Sequence, residues 1–127
     1  MGRLEIDVIG GALPEERVGD LVALALASAG VQEGHVAVEF VDPERIAELN
    51  AEHRGKPQPT DVLSFPVDED GEAFGPRELG DVVICPEHTV DLEEAVVHGV
   101  LHLTGMDHEV DEGEMLALQA EIRSWLA

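Results

Sequence analysis

Residues 98–108 read His98-Gly99-Val100-Leu101-His102-Leu103-Thr104-Gly105-Met106-Asp107-His108. They close a segment that opens on Asp91 with Glu94 three residues later, a capping signal, and runs through Leu101 and Leu103 to Gly105, so a helix is predicted. On it His98 and His102 stand one turn of about 5.4 Å apart on the same face, where two imidazoles can converge on one ion. A continuing helix would carry His108 roughly 15 Å from His98 along the axis and off the shared face. Gly105 removes the obstacle, because a residue without a Cβ adopts the left-handed conformation that ends helices and turns the chain back. The expectation is a helix stop at or near Gly105, with His108 returning to complete a three-histidine site.

Three neutral imidazoles with an open fourth position suit one catalytic Zn²⁺, since a structural zinc normally has four protein ligands. Cys85 is the single cysteine and cannot close the set. A water bound to such an ion has a pKa near 7 and supplies hydroxide at neutral pH. Asp107, Glu109 and Asp111 are candidates for the carboxylate that orients an imidazole N–H from behind, and the sequence does not choose among them. His35, His53 and His88 lack ligand spacing and read as packed or hydrogen-bonded side chains.

Outward from this segment, the chain reads as alternating strands and helices. Leu4, Ile6 and Val8 alternate with Glu5 and Asp7, and Val36, Val38 and Phe40 repeat the pattern, which predicts two half-buried strands. Between them Val18, Leu21, Val22, Ala25 and Leu26 recur at helical spacing from Pro14 to about Ala29. Asp42-Pro43 is an N-cap and first helical residue for a short helix carrying Ile46 and Leu49. The stretch 53–60 (HRGKPQPT) is a loop, 61–65 (DVLSF) a strand stopped by Pro66, and 67–79 an acidic surface loop. Residues 81–85 (DVVIC) form a strand apolar on both faces, with Cys85 as core. A last helix, capped by Asp111 with Glu114, presents Met115, Leu118, Ile122 and Trp125 to the core. Four strands and four helices make an α+β fold with one mostly covered sheet.

The whole has 127 residues, 44% of them apolar, enough for a single domain spanning 1–127 with its own core. No apolar run reaches the roughly 18 residues of a membrane span and the first residues carry no basic, then apolar, export pattern. A lone cysteine fits a reducing compartment, so a cytoplasmic protein without a membrane partner is expected. With 7 basic and 28 acidic residues the formal charge is −21. That charge argues against a broad, unassisted grip on a polyanion.

The histidine intervals equal those of the zincin peptidase pattern HExxHxxGxxH, but Gly99 stands where those enzymes carry their catalytic Glu. The usual proton-shuttling base beside the first ligand is therefore missing. A closer resemblance covers the chain from about Phe40 onward. HGVLHLTGMDH resembles the HGxLHLxGxDH motif of the YbeY-type endoribonucleases, LNAEHRGKPQPTDVLSFP (49–66) resembles that family's LNxxyRgkxxpTDVLSFP block, and LGDVVIC (79–85) resembles its GDIxI strand.

The resemblance implies a zincin-like α+β domain with one mixed four-stranded sheet packed against helices. It implies His98, His102 and His108 as metal ligands, Arg54 as the catalytic arginine, and one Zn²⁺ per chain. It also implies a single-strand-specific hydrolase acting in 3′-end maturation of small-subunit ribosomal RNA and in ribosome quality control, with ribosomal proteins or assembly factors as possible partners. Two departures stand out: the stretch between Cys85 and His98 is shorter than the family pattern, which trims one wall of the expected groove, and the chain holds only Phe40, Phe65, Phe74 and Trp125 as rings for base stacking. Two alternatives remain at this point, a metal hydrolase of peptides or other small substrates, and a zinc-stabilised ribosome-associated interaction module.

The acidic total hides an asymmetry. Residues 61–127 carry 17 acids and 2 bases, whereas 1–60 carry 11 and 5. The loop 53–60 has no acid and holds both Arg54 and Lys56, the only lysine. Since exposed charges are screened over about 8 Å at physiological salt, a small positive mouth at that loop and the metal is expected on an acidic body.

Overall fold

The computed structural model describes residues 4–31, 33–66, 78–105 and 113–125. Strand β1 (Leu4–Ile9), helix α1 (Glu15–Ser28), β2 (Gly34–Phe40), α2 (Pro43–Arg54), β3 (Val62–Pro66), β4 (Glu78–Ile84), a single 3-10 turn (Pro86–His88), α3 (Leu92–Leu103) and α4 (Glu114–Trp125) follow one another. The predicted α+β class and its mixed four-stranded sheet are found. Strand order is β1-β2-β4-β3, with β1 and β4 parallel to β2 and β3 antiparallel to β4.

Local signals set most boundaries. Asp42 accepts from Arg45 N at 2.8 Å and opens α2 with Pro43 behind it, while Asp91 accepts from Glu94 N at 3.1 Å and opens α3. Two boundaries differ from expectation, the first being the end of α2, which runs through His53 and Arg54 of the stretch read as loop and stops at Gly55 in the left-handed conformation. The second is β4, which begins at Glu78, inside the stretch read as acidic loop, because parallel pairing with β2 extends to His35 opposite Glu78. The remainder of that loop (67–77) and the proposed cap Asp111 lie outside the described residues.

The sheet separates two apolar clusters. On one face Val36, Val38, Val82 and Ile84 pack under α1, α3 and α4 through Leu21, Leu26, Val96, Leu101, Met115 and Ile122. On the other, Ile46 of α2 packs with Leu63, Val83 and Cys85. Val82 and Ile84 thus serve one core and Val83 and Cys85 the other, which is why β4 reads as apolar without alternation. Trp125, read as core, is instead 54% exposed. The inward line of α4 is Met115, Gln119 and Ile122, and at 100° per residue Trp125 falls about 80° round the helix from Met115.

Three helices of the first face are tied by one ionic cluster. Arg17 of α1 makes two bonds to Glu93 of α3 (2.9 and 2.8 Å), and Arg123 of α4 reaches Glu93 at 2.9 Å and Asp91 at 3.0 Å. His35 plays a similar part on the opposite face, bridging Asp7 of β1 (2.7 Å) and Glu78 of β4 (2.8 Å) across β2. Its pKa is raised, chiefly by the bond to Asp7 and then by Glu78.

Two close approaches fix how α3 lies on the sheet. A Cβ at Gly99 would meet Val82 Cγ1 at 2.5 Å, and a Cβ at Gly80, where φ is +134°, would meet the Phe65 carbonyl oxygen at 2.3 Å and Leu103 at 2.9 Å. Ser64 Oγ donates to the Gly99 carbonyl at 2.9 Å in the same contact. Gly80→Ala combines backbone strain with collision against backbone and is expected to cost about 2–5 kcal/mol. Gly19→Ala, inside α1 with nothing within 4 Å of the new methyl, is expected to gain about 0.5–1 kcal/mol. Urea midpoints of the two variants against wild type check both signs.

The ionic cluster predicts an acid limb of stability. The Asp91 pKa is lowered, first by the Glu94 N–H and then by Arg123, and that of Glu93 is lowered, first by Arg17 and then by Arg123. Depressed carboxylates stabilise the fold fully above their unfolded values of about 4, and that stabilisation is lost as pH falls through the folded values. In a double variant Arg17→Met, Arg123→Met the drop in urea midpoint between neutral pH and about pH 3 is expected to be smaller than in wild type. Comparing variants cancels the shared contribution of the overall charge.

Candidate metal and phosphate site

The site begins with the helix stop. α3 ends at Leu103, Thr104 caps it, and Gly105 follows with φ +97° and its N–H on the His102 carbonyl at 3.0 Å. The stop expected at Gly105 is therefore present. His108, expected to return to the site, lies outside the described residues, as do Asp107, Glu109 and Asp111.

His98 and His102 do converge. Their Nε2 atoms are 3.2 Å apart, with ring centroids at 4.7 Å and planes at 76°. Two nitrogens bound tetrahedrally to one zinc at 2.0–2.1 Å each would be separated by roughly 3.3–3.4 Å. The observed spacing is close to that tetrahedral edge, and the residue type is the one zinc favours, so these two side chains fit the ion the sequence implies. Among the described residues no group of three histidine, cysteine or carboxylate side chains forms a complete site.

Behind His98 stands a residue that the sequence reading missed. Gln119 of α4 is 7% exposed, its Oε1 lies 2.7 Å from His98 Nδ1, and its Nε2 donates to Glu94 Oε1 at 2.6 Å. Glu94, whose N–H takes the Asp91 cap, has its carboxylate engaged with Gln119. The available signal was a polar residue at an inward position, since Met115, Gln119 and Ile122 share a helical face.

Position 99 explains the departure from the peptidase pattern. Gly99 faces Val82 and Ser64 with no room for even a methyl group, so no carboxylate can stand there. The glycine is a packing requirement of α3 as well as a missing base.

Arg54 is the last residue of α2, exposed, and followed by Gly55 in the left-handed conformation that ends the helix. A cation there complements the negative helix end. Among the described residues it makes no ion pair; Glu48, one partner a surface reading would offer it, is bonded to Arg45 at 3.2 Å. No hydrogen bond joins Arg54 to His98 or His102, and α2 and α3 lie on opposite faces of the sheet. Both helices nevertheless end at the same strand end. The His53 ring rests on Phe65 at 4.6 Å, while Leu103 packs toward Gly80 beside the Phe65 carbonyl. The loop after Arg54 is held by Asn50 Nδ2 donating to the Gln58 carbonyl at 2.9 Å, and Lys56 is exposed on it.

Comparison with known proteins agrees with this architecture along nearly the whole chain. A family model described as Endoribonuclease YbeY matches residues 14–127. The Endoribonuclease YbeY of Rubrobacter xylanophilus is 42% identical over 131 residues, covering 94% of this chain and 93% of that one. The Endoribonuclease YbeY of Bacillus licheniformis is 39% identical over 137 residues, covering 88% and 87%. The solution structure of a Thermotoga maritima protein is similar with a TM-score of 0.56 at 28% identity, over 94% of this chain and 86% of that one. With a match of this length to the family and relatives near 40% identity, the chain belongs to the endoribonuclease YbeY family.

Proposed function

We propose that this protein is a zinc-dependent endoribonuclease that cuts single-stranded ribosomal RNA in 3′-end maturation of the small subunit and in ribosome quality control, on a zincin-like α+β domain. The observation that supports it best is the pair of Nε2 atoms 3.2 Å apart on α3, beside a glycine that leaves no place for a peptidase base. His98, His102 and His108 are the residues that would hold the ion. Bound there, zinc would supply Lewis-acid chemistry, lowering the pKa of a water and drawing charge from a phosphoryl oxygen.

The chain's own contribution is charge and position. Arg54 presents a planar fork of donors suited to a phosphodiester, and its freedom from ion pairs among the described residues leaves that fork available for substrate. Developing negative charge on the phosphoryl oxygens in the transition state strengthens these bonds, which makes Arg54 a stabiliser of that charge. Lys56 on the adjoining loop adds a second cation, so the substrate meets a local positive mouth although the chain carries −21 overall. A strand that must enter a small basic site on an acidic body is selected for being narrow and accessible, which suits single-stranded rather than duplex RNA. The acidic remainder of the surface makes delivery by a ribosomal protein or assembly factor part of this reading.

The test uses wild type, Arg54→Ala and His102→Ala on a single-stranded ribosomal RNA fragment, with metal content measured on each sample. Arg54→Ala is expected to keep its metal and lose about 10²–10³ in kcat, and His102→Ala to lose both metal and cleavage. Full activity in Arg54→Ala would remove its proposed role. Equal trace activity in all three proteins, or cleavage of casein without cleavage of RNA, would contradict the endoribonuclease reading.

A further inference from the structure

Glu94, Gln119 and His98 form a line of side chains that the site as proposed does not require, and with a carboxylate at one end and a neutral imidazole at the other its chemistry permits one arrangement of protons. An ionised carboxylate accepts and cannot donate, so the Gln119 group 2.6 Å from Glu94 Oε1 must be the amide nitrogen. The amide oxygen is then the atom 2.7 Å from His98 Nδ1. An oxygen acceptor at that distance requires a hydrogen on Nδ1, and a neutral imidazole with a hydrogen on Nδ1 has none on Nε2. The bare Nε2 is the atom that lies 3.2 Å from its counterpart on His102.

We infer that Gln119, held in one amide orientation by Glu94, is a positioning residue that fixes His98 as the tautomer whose Nε2 lone pair faces a metal ion. The inference deepens the metal reading proposed above and rests on it for the ion. The tautomer itself is a property of the metal-free chain. Gln119 is suited to the task by burial, since at 7% exposure water does not compete for its two bonds. Glu94, His98 and His102 follow at intervals of four on α3, and Arg123 binds Glu93 and Asp91 at the start of the same helix. Gln119, one turn before Arg123 on α4, is thereby held over His98. A leucine at 119 would fill the same space without an acceptor, and a leucine at 94 would leave the amide free to turn its nitrogen toward His98.

The experiment records the ring ¹⁵N and ¹³C resonances of His98 in metal-free protein at about pH 8, where an ordinary imidazole is neutral, for wild type, Gln119→Leu, Glu94→Leu and Glu94→Gln. Each folded sample is then titrated with Zn²⁺ against a chromophoric chelator. Wild type and Glu94→Gln, which keeps an acceptor oxygen for the amide, are expected to show the Nδ1–H form. Gln119→Leu and Glu94→Leu are expected to shift toward Nε2–H and to bind zinc about 10–100-fold more weakly. Because the Glu94 carboxylate meets His98 through the two ends of the Gln119 amide, a change of tautomer in Glu94→Leu that Glu94→Gln does not share reports the line and not mere loss of packing. An unchanged tautomer in Glu94→Leu and Gln119→Leu, or a changed tautomer with unchanged zinc affinity, would overturn the inference. Failure of wild type to cut RNA while these shifts occur would sink the proposed function and leave this inference standing.

Discussion

Helix α3 approaches the sheet so closely that only a hydrogen atom fits between its Gly99 and Val82. That contact sets the roll of the helix, and the roll sets the direction of everything chemical on it. Turning 100° per residue, His98 and His102 are carried about 60–100° away from the sheet-facing direction of Gly99. They look past the sheet toward the side where α4 brings Gln119. A larger side chain at 99 would lift or rotate α3 and move both imidazoles together. The same glycine therefore supports the core and removes the place where a related peptidase pattern keeps its base.

The basic element is built differently. Arg54 and Lys56 belong to the other side of the sheet, where α2 packs on Leu63 and Val83, and α2 and α3 both end near Phe65 of the edge strand β3. The histidine pair and the basic loop thus come from the two layers on either side of one sheet. This arrangement gives the net charge of −21 a more specific meaning. Acidic residues on α3 are spent in structural pairs, Glu93 and Asp91 with arginines and Glu94 with Gln119, while the loop from Gly55 to Thr60 carries none.

Features with local causes were legible in the sequence. The alternation in β1 and β2, the caps Asp42 and Asp91, and the stop at Gly105 depend on neighbours within a few residues, and the structure places each where periodicity and turn chemistry put it. What could not be read depends on distant partners. Gln119 appears in the sequence as one more polar helical residue, and only the packing of α4 on α3 makes it a buried partner of His98. Gly80 looks like an ordinary strand glycine until Phe65 and Leu103 arrive on either side. Trp125 fits an apolar stripe by spacing, yet it lies at the flank of the inward face. The start of β4 was hidden because Glu78 is a poor strand signal that pairing with β2 overrides. The convergence of two helices from opposite faces is a property of topology, and no interval in the chain announces it.

The central claim is that the His98–His102 pair forms one edge of a tetrahedral metal site completed by His108. X-ray absorption of zinc-loaded protein tests it most directly. Three imidazole nitrogens and one further oxygen ligand at about 2.0–2.1 Å are expected, falling to two imidazoles in His108→Ala. A six-coordinate oxygen-rich shell, a sulfur ligand from Cys85, or a spectrum unchanged in His108→Ala would contradict the account.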